Sequence, residues 1–291
     1  MTNHKPQRII TMSDIKRILT MDDLFKLSHQ RGKLDLNLVD LSNTDLTACN
    51  LDHASLTNTN LQGAKLDGVS MQHSNLTNAN FSHASMNACH IEESDLQGAD
   101  FTFAELSDAS IYKSDARNAD FDNVTMLRGR LIEVNFDDTE IIEANFMGTK
   151  LHGSTFVNGS LFSCGLEYTE LSDADFTNTS FDGSDFTGAW FGSAEVTGAF
   201  FLNAKFDRTQ FGFPFLLLYG ISELGYYINI FKDNIRIAEE CHTIEEWEAI
   251  TDSDLLQTST QSMVDFWHSH KDFILHTAKG LNAFKNEAEA V

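Results

Sequence analysis

The sequence predicts a mainly β solenoid, a chain wound into a coil whose sides are five residues long. Large apolar residues occupy every fifth position from Leu36 to Phe211, and among these 36 positions only Ala116 is small. A second column, two residues before the first, holds small or β-branched residues after Leu34. A period of five suits neither an α-helix, with about 3.6 residues per turn, nor a flat strand, with a period of about two. A coil with one large and one small inward residue on each side satisfies both columns.

Two further features support a long uninterrupted coil in a reducing compartment. Proline occurs only at Pro6 and Pro214, so no proline removes a backbone donor in between. Cys49, Cys89 and Cys164 fall in the small column, and we expect them to be buried apolar groups. The cysteine spacing fits no zinc or disulfide framework, and we find neither a secretory signal nor an apolar run of about 18 residues. These observations predict a cytoplasmic protein without a membrane span.

The repeat resembles the A(D/N)LXX motif of the pentapeptide-repeat family. Residues 99–103, which read Ala-Asp-Phe-Thr-Phe, match it, as do the segments that begin at Ala79, Ala119 and Ala174. The resemblance covers about residues 34–213 and implies a right-handed quadrilateral β-helix. With four pentapeptides per coil, about nine coils stacked at the strand spacing of about 4.8 Å would form a rod about 43 Å long.

We expect three parts in the chain: an N-terminal capping helix at 1–33, the pentapeptide-repeat β-helix at 34–213, and a small C-terminal α+β module at 214–291. Ser13 is a candidate N-cap for the first helix, whose apolar stripe would cover the first coil. The alternative for this helix is docking to a partner.

Local patterns predict the elements of the C-terminal module. Strands are expected at 215–218, 226–231 and 235–237, and a long amphipathic helix at about 260–284. Thr243 followed by Glu246 gives a capping-box pattern before a shorter helix. The stretch between Ile235 and Trp267 is similar to a C-terminal module of uncharacterised phage and bacterial proteins, a similarity that implies no activity.

The charge is strongly negative and unevenly distributed. The net charge of −23 argues against direct binding to nucleic acid or to an anionic membrane. We number the four faces by their first pentapeptide, centred on Leu36, Leu41, Leu46 and Leu51. Residues 34–213 carry −19, of which −13 falls on faces 1 and 2. The carboxylates expected to form an interaction surface there are Asp95, Asp100, Asp115, Asp120, Asp122, Asp137, Asp138, Glu140, Glu143, Asp175 and Asp182.

Face 2 also carries outward apolar residues towards its C-terminal half, namely Phe103, Ile142, Phe162, Phe200 and Leu202. An exposed apolar stripe of this kind is usually covered. We expect residues 214–291 to fold back on it; otherwise it is a dimer or partner site.

No pattern in the sequence indicates catalysis, since a filled coil offers no pocket and no known catalytic motif is present. Two histidine groups have the chemistry of metal ligands, and for both we favour the interpretation without a metal. The first is His53 and His73 with Glu93. The second is Cys241, His242, His268 and His270. We therefore expect no catalytic residue, no metal and no cofactor.

The sequence predicts a non-enzymatic interaction protein, an acidic rod that binds a basic protein surface. Quinolone-resistance and mycobacterial members of the family mimic DNA and occupy the DNA saddle of type II topoisomerases. The resemblance therefore implies DNA gyrase or topoisomerase IV as a partner. Unlike those relatives, this chain has no loop interrupting the coil and ends in a larger module. The alternative is a structural or assembly component, for example one derived from a phage, acting through the C-terminal module and the apolar stripe. The module is also a candidate homodimer contact.

Overall fold

A computed structural model shows how the repeat is wound. It describes residues 34–47, 49–211, 215–218, 228–231, 234–238 and 240–288. The N-terminal helix expected at 1–33 lies outside these residues.

Successive coils pair as parallel strands at an offset of 20 residues, apart from a register shift at the pair of Gly192 with Phe211. The pairs run from Asp35 with Ser55 to Trp190 with Gln210. In the first pair, the Leu36 amide donates to the Ser55 carbonyl and the Ser55 amide to the Leu34 carbonyl, both at 2.8 Å. An offset of 20 residues means four pentapeptides per coil, which gives the solenoid four faces. The total of about nine coils and the two caps stay predictions.

Each corner of the coil is a tight turn with one residue in the left-handed region. At the first corner the Val39 amide donates to the Leu36 carbonyl at 3.1 Å, and Leu38 has φ of 60°. Asn, Asp, His and Gly tolerate this conformation best. The requirement accounts for the outward column, two residues after each large residue, that is rich in these types.

Regular strands in the solenoid are short because the turns recur every five residues. Face 4 contains β1 (His90–Glu92), β2 (Ser110–Tyr112), β3 (Arg130–Ile132), β6 (Trp190–Gly192) and β7 (Gln210–Phe211). Face 2 contains β4 (Glu140–Ile142) and β5 (Ser160–Phe162), which pair in parallel. Elsewhere the coils are joined by single bridges between equivalent residues.

The large inward column forms the core, as predicted. Its members are buried from Leu36 to Phe201, and Phe206 and Phe211 pack against them. Phenylalanines one coil apart stack, with ring centroids 4.9 Å apart for Phe81 and Phe101. Stacking at this distance matches the spacing of paired strands, so each ring fills one coil.

The small inward column supplies hydroxyl groups to the backbone. Thr179 Oγ1 donates to the Phe156 carbonyl at 2.7 Å, and Thr149 Oγ1 to the Met126 carbonyl at 2.5 Å. Both threonines are fully buried, so their hydroxyls satisfy carbonyls inside the coil.

The three cysteines of the small column are buried, as predicted. Burial raises the pKa of the Cys89 thiol to about 12, and burial likewise raises the pKa of Cys164 to about 12. Thiols with such pKa values are unreactive at neutral pH.

The described C-terminal residues form an antiparallel sheet covered by helices. Its strands are β8 (Phe215–Leu218), β9 (Ile228–Phe231), β10 (Asn234–Ile237) and β11 (Glu240–Thr243), in the order β11-β10-β9-β8. The strands predicted at 215–218 and 235–237 are present, and β9 falls within the predicted 226–231. Strand β11 was not predicted from the sequence.

Three helices follow the sheet: α1 (Ile244–Ala249), α2 (Asp252–Thr258) and α3 (Gln261–Ala288). Thr243 and Glu246 form the predicted capping box, and α3 corresponds to the predicted long helix. Trp247 anchors α1, because its Nε1 donates to the Ile235 carbonyl at 2.7 Å. None of the helices in the described part of the chain is long and apolar enough to cross a membrane.

The sheet contacts the last coils through the side that faces away from the helices. Ile235 and Ile237 pack under the helices, whereas Arg236 between them reaches the solenoid. Its Nη2 donates to the Gly198 carbonyl, and its guanidinium lies 6.0 Å from the Phe200 ring centroid. This contact places the module against the corner of faces 1 and 2 near the end of the solenoid.

Candidate interaction face

Many of the predicted acidic residues stabilise the turns of the repeat through their carboxylates. Asp100 Oδ1 accepts the Thr102 amide at 2.9 Å, and Asp120 Oδ1 accepts the Asp122 amide at 3.0 Å. Each carboxylate thus stabilises the turn that follows the adjacent large inward residue of its pentapeptide. The same bond is made by Asp95, Asp115 and Asp175, and by asparagine at Asn60, Asn75 and Asn80. The turn therefore needs an oxygen acceptor and does not need a negative charge.

Six of the predicted carboxylates lie on face 2 and on the adjoining end of face 1 in two successive coils, and we call this cluster the acidic edge. Its members are Asp120, Asp122, Asp137, Asp138, Glu140 and Glu143. Asp120, Asp138, Glu140 and Glu143 are exposed, while Asp122 and Asp137 are half-buried. The remaining predicted carboxylates are spread along the two faces.

The two half-buried carboxylates tie neighbouring coils together. Asp122 Oδ1 accepts the Ile142 amide at 2.7 Å, and Asp137 Oδ1 accepts the Val157 amide at 2.9 Å. Burial raises the pKa of Asp122, and the charges of Asp120, Glu140 and Glu143 raise it further. A carboxyl whose pKa is raised by its neighbours shows that negative charges at the acidic edge repel one another.

Within the described residues, no lysine or arginine forms an ion pair with the acidic edge. On faces 3 and 4, in contrast, cations pair with acids on the adjacent coil. Arg128 binds Asp108 at 2.8 Å. Lys150 binds Glu170 at 2.9 Å. Lys205 binds Asp185 at 3.1 Å, and Lys113 lies 3.8 Å from Glu133. The faces therefore differ in net charge and also in whether their acids form ion pairs with basic residues on the adjacent coil.

The apolar residues predicted on face 2 do not form one continuous stripe. Ile142 and Phe162 are directly paired across β4 and β5. Phe103 belongs to a different column, where its ring stacks on His83 with centroids 5.1 Å apart. Phe200 contacts Arg236 of the module, and Asp182 lies between Phe162 and Leu202 along their column. Phe103 and Phe162 remain 52% and 42% exposed.

The histidine groups are occupied by local contacts. The His53 and His73 rings stack with centroids 5.0 Å apart, and His73 Nδ1 lies 3.3 Å from Glu93 Oε2. In the module, His242 contacts Glu240, His268 contacts Asp252, and His270 contacts the Phe266 carbonyl. In the part of the chain that the structure describes, no three His, Cys, Asp or Glu residues are arranged to hold a metal ion.

Comparison with protein families supports the interpretation of the repeat. A model described as "Pentapeptide repeat region" matches residues 32–96. A model described as "Pentapeptide repeats (8 copies)" matches residues 84–123, 117–153 and 160–195. Together they match more than half of the chain. The chain belongs to the pentapeptide-repeat family. Its solenoid is accordingly a right-handed β-helix.

Several solved pentapeptide-repeat structures are similar to this chain at low identity. A trypsin-treated variant of QnrB1, a plasmid-mediated fluoroquinolone resistance protein, is 19% identical, with a TM-score of 0.48, over 60% of this chain and 89% of that one. HetL of Nostoc sp. strain PCC 7120, involved in heterocyst differentiation regulation, is 24% identical, with a TM-score of 0.24, over 57% and 81%. Rfr23 from the cyanobacterium Cyanothece 51142 is 15% identical, with a TM-score of 0.18, over 52% and 90%. A comparison with curated protein sequences gives no match.

The structure also shows exposed residues that the sequence analysis missed. Met147, Tyr168 and Trp190 are large, exposed and apolar, and all lie on faces 3 and 4. Arg236, which contacts the solenoid, was likewise not singled out. Reading the outward columns for bulky residues, as well as for charge, would have found the first three.

Proposed function

We propose that this protein binds a basic surface of a protein partner through its acidic edge and the neighbouring carboxylates of face 2, without catalysing a reaction. The observation that carries the proposal is the acidic edge, whose six carboxylates form no ion pair with a described lysine or arginine.

The fold alone does not account for these charges. In one outward column of face 2 the residues are Asn60, Asn80, Asp100, Asp120 and Glu140 on successive coils. Asn80 Oδ1 accepts the Ser82 amide at 2.8 Å, much as Asp100 accepts that of Thr102 at 2.9 Å. Asparagine thus makes the same bond, whereas like charges on adjacent strands repel. A basic partner would relieve that repulsion.

A more specific form of the proposal is DNA mimicry directed at a type II topoisomerase, either DNA gyrase or topoisomerase IV. Duplex DNA carries about 25 charges over about 43 Å, the expected length of nine coils. The repeat region carries −19, which is of the same order. The resemblance of the repeat to quinolone-resistance members of the family favours this partner class. A cytoplasmic location would allow the encounter.

A supercoiling assay with purified DNA gyrase tests the specific proposal. We expect the protein to alter the rate of supercoiling, and the triple variant Asp100→Asn, Asp120→Asn, Glu140→Gln to lose that effect. Asparagine keeps both turn-holding acceptors, so the fold should be maintained. The control triple Asp108→Asn, Glu133→Gln, Glu170→Gln removes the same number of charges from faces 3 and 4 and should retain the effect. Absence of any effect at micromolar protein would reject topoisomerase as the partner.

A structural or assembly role, for example in a phage particle, is the second candidate. The exposure of Phe162 beside Ile142 on face 2 favours it, because paired exposed apolar residues suit a permanent contact. Light scattering coupled to size-exclusion chromatography distinguishes the two. An oligomer or homodimer that persists in high salt and is lost in Phe162→Ser supports assembly. A monomer under all salt conditions argues against it.

A further inference from the structure

Three large apolar side chains form a diagonal across the edge between faces 3 and 4, and we call them the aromatic edge. They are Met147, Tyr168 and Trp190, with 39%, 58% and 54% of their surface exposed. Each lies one coil beyond the previous one and one or two residues further along the coil. Methionine, tyrosine and tryptophan are enriched in protein interfaces, and Trp and Tyr are frequent hot spots.

The two aromatic rings rest on glycine positions of the neighbouring backbone. A Cβ at Gly188 would come within 2.6 Å of Tyr168 Cε1, and a Cβ at Gly192 within 3.2 Å of Trp190 Nε1. The rings therefore occupy space that any larger residue would fill. Side chains already supported in this way lose less entropy when a partner binds them.

Carboxylates border both rings. Glu167 directly precedes Tyr168 in the chain, and Glu170 follows it by two residues. Glu170 is also the strand-pairing neighbour of Trp190 on the adjacent coil. Its side chain is 55% exposed while it pairs with Lys150, so one side of the carboxylate remains open to solvent.

Elsewhere in the protein, some aromatic rings carry a cation from the same chain. Lys113 lies 4.8 Å from the Tyr112 ring centroid, and Lys271 lies 5.5 Å from that of Trp267. Arg236 approaches Phe200 while donating to a carbonyl, so the module itself places an arginine against an aromatic ring of the rod. No cation among the described residues lies over Tyr168 or Trp190.

We propose that the aromatic edge is a second contact surface, which takes an arginine side chain of a protein partner. The guanidinium would stack on Tyr168 or Trp190 and pair with Glu167 or Glu170. Arginine fits better than lysine because its planar, weakly hydrated group stacks on rings and binds carboxylates at the same time. This edge is diagonally opposite the corner at which Asp120, Asp138 and Glu140 of the acidic edge lie, so the two surfaces can be occupied independently.

Tryptophan fluorescence provides a direct test in the full-length protein. Trp190 is exposed, whereas Trp247 and Trp267 are buried, so a ligand at this edge changes mainly the Trp190 emission. The probe is a short blocked peptide that alternates arginine with alanine. Its matched control replaces arginine with citrulline, which keeps the shape and removes the charge. We expect a saturable change with the arginine peptide and an affinity at least about fivefold weaker with the citrulline peptide.

Two variants locate the binding. Tyr168→Asn should weaken the arginine peptide about fivefold. It should not affect thermal unfolding, because asparagine occupies the same left-handed corner conformation at Asn158 and Asn178. The triple Asp100→Asn, Asp120→Asn, Glu140→Gln should leave the affinity within about twofold, since it alters only the opposite edge. The proposal is overturned by the absence of a Trp190 response up to about 1 mM peptide. Equal binding of the citrulline peptide, or loss of binding in the triple variant, also overturns it.

Discussion

The acidic edge and the ion-paired residues of faces 3 and 4 lie on the same repeating backbone, but they differ in whether their acids pair with basic residues. On faces 3 and 4, Arg128 and Lys150 each bind an acid one coil away. At the acidic edge, Asp120, Glu140 and Glu143 form no ion pair with a described lysine or arginine, and burial together with their charges raises the pKa of Asp122. The comparison shows that the inward columns determine the coil and leave the outward columns free to carry different surfaces.

The largest expected effects are in the core, and they should be equal beneath the two surfaces. Phe121 lies under face 2 and Phe186 under face 3, and both are fully buried in stacked rings. Phe121→Ala and Phe186→Ala should each lower the free energy of unfolding by about 3–5 kcal/mol. Urea denaturation checks this. Phe103→Asn, at an exposed corner, is the control and should change it by less than about 0.5 kcal/mol. A much smaller loss of unfolding free energy at one core site would show that the core does not stabilise the two faces equally.

Removal of an inward hydroxyl should have the next largest effect, again on both sides of the coil. Thr179 belongs to face 2 and Thr149 to face 4, and each donates to a carbonyl of the adjacent coil. Thr179→Val and Thr149→Val keep the side-chain shape but remove a buried hydrogen bond. The Phe156 carbonyl still accepts the Gly159 amide at 2.9 Å, so we expect a loss of about 0.5–1.5 kcal/mol for Thr179→Val and of about 1–3 kcal/mol for Thr149→Val in the same denaturation experiment. Neutral effects at both sites would mean that these hydroxyls do not support the coil.

Neutralisation should change stability with opposite signs on the two surfaces. The triple Asp100→Asn, Asp120→Asn, Glu140→Gln relieves repulsion and should stabilise the protein by about 0.5 kcal/mol at low salt. The triple Asp108→Asn, Glu133→Gln, Glu170→Gln breaks ion pairs and should destabilise it. Both differences should shrink in about 1 M NaCl, where the Debye length is about 3 Å. Thermal unfolding at the two salt concentrations gives the comparison, and the same sign for both triples would contradict it.

The pH dependence of stability in two single variants should further distinguish the acidic edge from the ion-paired faces. Burial and neighbouring acids raise the pKa of Asp122, so its ionisation destabilises the folded state at neutral pH. Protonation removes this penalty as the pH falls through the raised pKa towards the ordinary value of 3.8. Asp122→Asn should therefore be more stable than the parent at pH 7, and this advantage should disappear in acid.

Asp108 should behave in the reverse manner. The hydrogen bond from Arg128 lowers its pKa below the ordinary 3.8, so its ionised form stabilises the folded state above that value. The contribution is lost as the pH falls through the lowered pKa. Asp108→Asn should be less stable than the parent at pH 7 and equal to it in strong acid. Urea midpoints measured across this range test both variants, and parallel curves for the two would contradict the assignment.

The inward columns could be predicted from the sequence because a side chain that must fit the coil is restricted in size. Phe101 and Cys89 were placed correctly for that reason. A residue in an outward column can serve turn formation and surface charge at the same time, so its role is harder to predict. Asp100 was interpreted as surface charge, although its carboxylate also holds a turn.

Features that depend on distant parts of the chain were not predictable from periodicity. Strand β11 reads Glu-Cys-His-Thr and has no alternating apolar pattern, so only its pairing with β10 shows it. The contact between Arg236 and Gly198 joins residues 38 positions apart in two different architectures. The six carboxylates of the acidic edge were all identified from the sequence, but their lack of ion pairs with described lysines and arginines depends on which columns those basic residues occupy.

Quantitative capture of proteins from the native host most directly tests whether the unpaired acids form the binding surface. Three immobilised forms are compared: the parent, the Asp100/Asp120/Glu140 triple and the Asp108/Glu133/Glu170 triple, the last two with equal net charge. We predict that basic proteins bind the parent and the Asp108/Glu133/Glu170 triple and that salt elutes them. The same proteins should not bind the Asp100/Asp120/Glu140 triple. Capture of the same proteins in equal amounts by all three forms would contradict the central claim.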